Sequence, residues 1–219
     1  MPDEPLRIGV TQRVSVIEEY GERRDCLDQA WILLLQELGY TPVPLPNRIA
    51  PENVRSYLNR LSIDGVVLTG GNDIAGYTDP ETPAPARDAF ERAVLDVAVE
   101  TGLSVVGVCR GLELLNVYFG GDLSAVSDHV DVTHEISFVE TNGLSIPETI
   151  TVNSYHNWGI NQDDVAAELT VGGIAPDETV ECLFHPSLPI WGIMWHPERD
   201  SPSATVDQQI LRYVFESDK

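Results

Sequence analysis

One cysteine of this chain sits between two glycines at the end of an apolar run. Residues 103–108 are rich in valine, and Cys109 follows them directly within VVGVCRGLEL at 105–114. Gly107 stands two residues before it and Gly111 two after. A thiol held on a sharp strand-to-helix turn needs small neighbours, because the chain doubles back against itself there. A helix starting behind the thiol favours the thiolate electrostatically. The backbone N–H of Arg110 is then placed to donate to an oxyanion forming beside the sulfur. On its own, the segment fits a buried core cysteine as well as a nucleophile.

A second segment supplies a base. Trp195-His196-Pro197-Glu198-Arg199 closes the apolar run 190–195. Pro197 biases His196 towards extended backbone, in which side chains two residues apart share a side. The Glu198 carboxylate can then accept one imidazole N–H and fix the tautomer, leaving the other nitrogen for a thiol. On its own this pair fits an ordinary surface loop. A third segment, Gly70-Gly71-Asn72-Asp73, ends the apolar run 63–69. Two glycines there permit a tight turn whose N–H groups point into a shared cavity.

These segments must be positioned by the elements around them. Apolar patterning predicts strands at 6–10, 41–45, 63–69, 103–108, 149–153, 168–174, 179–184 and 190–195. It predicts helices at 24–38, 52–61, 87–101, 112–119 and 204–215. In the first helix Leu27, Trp31, Leu34, Leu35 and Leu38 make an apolar stripe that Gly39 ends. Pro51 opens the second at the favoured N1 position. Residues 78–85 read as a polar, proline-rich loop. The alternation of strand and helix implies an α/β fold, a parallel sheet covered by helices on both faces. No repeat or long linker divides the chain, so residues 1–219 read as one domain. All three chemical segments follow predicted strands, and ligands bind at the carboxyl ends of strands in such sheets.

Thirteen Lys and Arg against 35 Asp and Glu give a net charge of −22, which repels phosphate backbones and argues against nucleic-acid binding. The acidic residues are dispersed over predicted helix faces and loops, and Lys219 is the sole lysine. This is the surface expected of a halophile's protein. Cys26, Cys109 and Cys182 make an odd number without a CxxC spacing, so neither a disulfide framework nor a zinc site is expected, and Cys26 and Cys182 read as structural. His129, His134 and His185 belong to no motif, and the first two lie on no predicted helix that could present them to one ion. A polar N-terminus without an apolar core, and no apolar run long enough to span a membrane, predict a cytoplasmic protein without membrane attachment.

Together TGGND (69–73), GVCRG (107–111), NSYHN (153–157) and MWHPER (194–199) resemble the class I glutamine amidotransferases, and within them the stand-alone γ-glutamyl hydrolases of the peptidase C26 type. The resemblance implies a three-layer αβα, flavodoxin-like fold with a mostly parallel central sheet. It implies thiol attack on a γ-glutamyl amide and hydrolysis of a γ-glutamyl thioester, with no metal or organic cofactor. It assigns Cys109, His196 and Glu198 to a catalytic triad and the N–H groups of Gly71 and Arg110 to an oxyanion hole. It places Asn72, Ser154 and His156 near the substrate.

Many amidotransferases carry glutamine four residues after the nucleophile, where this chain has Glu113. An ionised carboxylate accepts but does not donate, so Glu113 puts plain glutamine in doubt as the substrate. GVTQR (9–13), EYGERRD (19–25) and Trp31 are similar to the γ-glutamyl-CDP-amidate hydrolases, which act on a cytidine diphosphoramidate precursor. Arg13, Arg23 and Arg24 would suit such an anionic substrate. Three functions stay open on this reading: a free-standing γ-glutamyl amide hydrolase, including the γ-glutamyl-GABA type; a glutaminase subunit feeding ammonia to a separate synthetase; and a non-enzymatic binding protein on the same fold. A homodimer is compatible with each.

Overall fold

The computed structural model describes residues 4–78 and 83–216. Its centre is a nine-stranded mixed sheet. β1 (Arg7–Val10), β4 (Thr41–Pro44), β5 (Gly65–Leu68), β6 (Ser104–Val108) and β13 (Ile190–Ile193) form its parallel half, in the order β4-β1-β5-β6-β13. β12 (Val180–Phe184), β11 (Thr170–Ile174), β8 (Val130–Phe138) and β9 (Thr149–Tyr155) extend it through antiparallel pairings. Every residue of β5 is buried, as is Val105–Val108 of β6. Strands this apolar form where both faces of a sheet are covered.

The covering helices are α1 (Gln29–Glu37), α2 (Val54–Arg60), α3 (Pro85–Thr101), α4 (Arg110–Tyr118) and α5 (Ala204–Glu216). α5 and α4 lie on opposite faces of the central strands. A Cβ on Gly65 would meet the Phe215 ring of α5 at 2.6 Å, whereas one on Gly107 would meet Leu115 of α4 at 2.8 Å. This gives the expected three αβα layers. α3 has Pro85 in its first turn and ends on Gly102 at φ 73°, a left-handed position that suits glycine.

Three local expectations change. The first helix does not start at residue 24. Arg13–Ile17 (β2) and Glu22–Cys26 (β3) pair instead as an antiparallel hairpin, with Gly21 at φ 70° in its turn. The polar Glu22–Cys26 stretch has no apolar face for a helix to bury. α1 begins only where Asp28 caps it, its carboxylate accepting the Ala30 N–H at 3.0 Å. The expected helix 52–61 opens with a 3₁₀ turn, Pro51–Asn53, before α2. The strand β8 was not anticipated, and two-residue strands β7 (Ser124–Ala125) and β10 (Trp158–Gly159) pair nearby. Of the loop expected at 78–85, residues 79–82 lie outside the described residues.

Candidate active site

Cys109 leaves β6 at φ 53° and ψ −109°, a conformation costly for a non-glycine residue. Its neighbours hold it there. The Cys109 N–H donates to the Ile193 carbonyl of β13 at 2.8 Å, and its own carbonyl accepts the Glu113 N–H at 3.1 Å. Gly107 and Gly111 are required by contact. A Cβ on Gly107 would press on the Gly111 backbone, and one on Gly111 would overlap the Leu68 carbonyl of β5. The thiol is buried, which pushes its pKa well above the ordinary value, and the Glu113 carboxylate adds to this. The Arg110 backbone N–H bonds towards the sulfur and acts the other way. Burial therefore works against the thiolate that the helix start favours.

The backbone is not extended as Pro197 implied: residues 196–199 form a turn, with the Arg199 N–H donating to the His196 carbonyl at 3.3 Å, and the turn still brings the two side chains together. Glu198 Oε1 accepts the His196 Nδ1–H at 2.8 Å, and both side chains are buried. Asn153 of β9 holds the histidine backbone from both sides: its Oδ1 accepts the His196 N–H at 2.8 Å and its Nδ2 donates to the His196 carbonyl at 2.9 Å. Tyr155 packs its ring edge-on to the imidazole, with centroids 5.8 Å apart. The Arg199 guanidinium covers the same tyrosine at 4.3 Å. Gly70 lies between His196 and Cys109, since a Cβ there would stand 2.9 Å from His196 Cε1 and 3.5 Å from Cys109 Cβ.

The glycine turn after β5 carries Gly71 at φ 80° and Asn72 at φ 63°. The Arg87 guanidinium, fully buried in α3, donates to the carbonyls of Thr69, Gly70 and Gly71. With its carbonyls held from below, the turn is free to present N–H groups to the cavity. Arg87 also pairs with Glu91 at 2.8 Å, and the Arg110 side chain pairs with Glu91 and Asp88. Four buried charges thus tie α3 to the turn and to the start of α4.

Two lobes of cavity flank Cys109. One, of about 330 Å³, is lined by Gly71, Asn72, Glu113, Tyr155, His156 and Trp158 among others. The other, of about 240 Å³, contains Arg13, Trp31, Gly70, His196, Glu198 and Arg199. Cys109, Gly71 and Tyr155 border both. Burial pushes the Glu113 carboxyl up to about 7. Arg13 lies flat against Gly71, 3.4 Å from the position of a Cβ there, and makes no ion pair among the described residues. Arg23 joins Arg13 along a neighbouring groove, whereas Arg24 is engaged by Glu22 at 2.6 Å on the exposed face.

Of the residues singled out from the sequence for this site, all but Ser154, Arg23 and Arg24 border one lobe or the other. Ser154 is buried away from both lobes, its hydroxyl donating to the His129 carbonyl at 2.7 Å. Asn72 borders the first lobe, but its amide is engaged by Val14 of β2, accepting the N–H at 2.6 Å and donating to the carbonyl at 2.9 Å. That pair secures the hairpin to the glycine turn. Sequence reasoning missed Arg87 and Asn153. Arg87, Asp88 and Glu91 fall on one face of α3, and charges on the face that a helix turns to its sheet were the available signal.

The Peptidase C26 family model matches residues 7–198. The γ-glutamyl-CDP-amidate hydrolase of Campylobacter jejuni is 33% identical over 211 residues, covering 95% of this chain and 96% of that protein. The γ-glutamyl-γ-aminobutyrate hydrolase PuuD of Escherichia coli is 28% identical, covering 90% and 86%. Among solved structures, a Thermoplasma acidophilum protein provisionally assigned as a GMP synthase component superposes with a TM-score of 0.71 at 21% identity, over 96% of this chain and 92% of that one. That likeness establishes the fold.

Proposed function

This chain belongs to the peptidase C26 family, and we propose that it hydrolyses a γ-glutamyl amide through Cys109, with γ-glutamyl-CDP-amidate or a close anionic analogue as substrate. The observation that carries this reading is the 2.8 Å contact of His196 with Glu198, in a cavity lobe shared with a thiol on a strained strand-to-helix turn.

Burial disfavours a resting thiolate, so the thiol proton leaves as attack proceeds. Cys109 Sγ adds to the γ-carbonyl carbon while His196 Nε2 takes the thiol proton. The N–H groups of Gly71 and Arg110 stabilise the oxyanion. Glu198 stabilises the imidazolium, as an orienting carboxylate does in a triad. Collapse of the tetrahedral species breaks the C–N bond, and His196 protonates the departing amine. Water, deprotonated by His196, then cleaves the γ-glutamyl thioester and releases glutamate.

The unpaired Arg13 guanidinium at the mouth supports an anionic leaving group, since a planar fork of N–H donors matches phosphate oxygens. The relative from Campylobacter jejuni supports the same choice. The test is glutamate release from γ-glutamyl-CDP-amidate, γ-glutamyl-GABA and glutamine by the purified protein. The expected order puts γ-glutamyl-CDP-amidate first in kcat/KM, with Arg13→Ala raising KM for that substrate alone. Glutamine as the best substrate, or turnover only with a partner chain, would replace this reading by the glutaminase-subunit one. Absence of thiol-dependent turnover on all three would end it.

A further inference from the structure

Beyond the catalytic residues, three histidines converge on a single buried carboxylate. Glu181 of β12 is fully buried, and among the described residues neither of its oxygens has a donor in good hydrogen-bond geometry, His156 Nε2 being 3.5 Å away. Its Oε1 lies 3.5 Å from His129 Nδ1, 3.8 Å from His134 Nε2 and 3.5 Å from His156 Nε2. Each of these ring nitrogens is also buried without a hydrogen-bond partner. The ligand atoms of His129, His134 and Glu181 all lie within 4.8 Å of one another.

The outward-facing nitrogens fix the tautomers. His129 Nε2 meets Asp177 Oδ2 at 2.9 Å, His134 Nδ1 meets the Glu135 carbonyl at 3.2 Å, and His156 Nδ1 meets the Trp158 carbonyl at 2.8 Å. All three partners are acceptors, so all three outward nitrogens carry hydrogen. In the neutral rings the inward nitrogens then present lone pairs, and three lone pairs face a carboxylate. Only positive charge at the centre reconciles them.

The spacing identifies that charge. A proton shared between imidazole and carboxylate would draw the pair to about 2.7–2.9 Å. Zinc bonds nitrogen and oxygen at ~2.0–2.2 Å in a tetrahedron, which separates neighbouring ligand atoms by roughly 3.3–3.5 Å. The distances from Glu181 Oε1 to the three nitrogens, 3.5–3.8 Å, fall nearer the second range, and His129, His134 and Glu181 lie within 4.8 Å of one another. Metal-binding histidines also characteristically donate their other N–H to a carboxylate or a backbone carbonyl, as all three do here.

We propose that His129, His134 and Glu181 supply three ligands of a structural zinc site, and that His156, 3.5 Å from Glu181 Oε1 but outside that mutual cluster, swings in as the fourth when the ion binds. The ion would join the start of β8, β8 itself, β12 and the turn after β9. His156 and Trp158 of that turn line the Cys109 cavity, so the ion would fix one wall of the site without taking part in the chemistry. The sheet, rather than a helix, brings His129 and His134 to one point.

The test measures metal directly, and so stands apart from whether the protein hydrolyses γ-glutamyl amides. Metal analysis of the purified protein should find one zinc per chain after supply of Zn²⁺ and removal of excess. Cobalt replacement should give the intense visible absorption of four-coordinate Co²⁺. Chelator treatment should lower the Tm and zinc should restore it. His134→Asn, at the most exposed ligand, should weaken zinc binding by more than about tenfold. Glu181→Gln should do the same, and a folded state of either variant is verified by circular dichroism. Less than a fifth of an equivalent of zinc with no Tm response would overturn the proposal. So would zinc bound equally well by wild type and His134→Asn, since that ion would lie elsewhere.

Discussion

Asn153 and His196 clasp one another through two hydrogen bonds, at 2.8 and 2.9 Å, between one side-chain amide and both polar groups of the histidine backbone. Glu198 holds the ring separately, at Nδ1. The imidazole is thus positioned from two directions, and loss of the carboxylate charge leaves the backbone anchor in place. Glu198→Gln should therefore lower kcat less than Cys109→Ser or His196→Ala, each of which removes a reacting group. Replacing a triad nucleophile costs several orders of magnitude. Steady-state kinetics on the best γ-glutamyl substrate orders the three variants, and a Glu198→Gln loss as deep as that of Cys109→Ser would contradict the orienting role.

Arg87→Lys tests the support beneath the oxyanion turn. One ammonium cannot reach Glu91 and the carbonyls of Thr69, Gly70 and Gly71 as the guanidinium does. Breaking a buried charge network costs about 3–5 kcal/mol, and loss of one oxyanion donor costs on the order of 10²–10³ in kcat. A milder version of both effects is expected, namely a lower urea midpoint and a fall in kcat greater than that in affinity. Native values for both would mean that the turn holds its own shape.

Asp207 offers a pH test of stability. It accepts the Trp195 Nε1–H at 2.7 Å and the Ser201 hydroxyl at 2.5 Å, and burial pushes its carboxyl from 3.8 up to about 6. The folded state therefore binds the proton more tightly than the unfolded chain. The associated stability is fully present below pH 3.8 and is lost as pH rises through about 6. Asp207→Asn can keep both contacts without titrating. Its stability relative to wild type should rise by about 1 kcal/mol between pH 5 and pH 8, read by urea denaturation. A difference independent of pH would show that Asp207 titrates alike in both states.

Salt should stabilise this protein. At −22, the folded surface repels itself, and the Debye length shrinks from ~10 Å at 0.1 M to ~3 Å at 1 M ionic strength. The expanded unfolded chain feels less of this repulsion. Thermal melting in KCl should give a Tm that climbs across that range. A flat or falling Tm would count against adaptation to high salt and leave the catalytic residues untouched.

The geometry of the candidate site was legible where it is local. Cys109 with its two glycines, His196 with Glu198, and the Gly70-Gly71 turn each follow a strand whose apolar run is continuous in sequence. What was not legible depends on pairing between distant segments. In the hairpin β3 is polar and exposed, so no apolar pattern marks it, the alternation of Val14 and Val16 in β2 is too short to stand out, and Asn72 secures β2 from 58 residues away. The NSYHN segment drew attention to Ser154 and His156, whereas Asn153 is the residue that grips His196. Which side chain of β9 faces the base depends on its register with β8, and that register shifts between Val130 and Val132, a bulge that local pattern does not encode. Arg87 and Glu91 are charged residues on a buried helix face, which only their partners explain.

The contact of Gly111 with the Leu68 carbonyl has a consequence for how such enzymes diverge. The thiol turn and the strand feeding the oxyanion turn meet as bare backbone, and no side chain of any kind fits between them. The bond-breaking geometry is thus inherited with the chain path and is invisible to most substitutions. The mouth, by contrast, is lined by replaceable side chains such as Arg13, Glu113 and Trp158. On the proposed mechanism, exchange of these side chains alters which amine departs and leaves the backbone that holds Cys109 untouched.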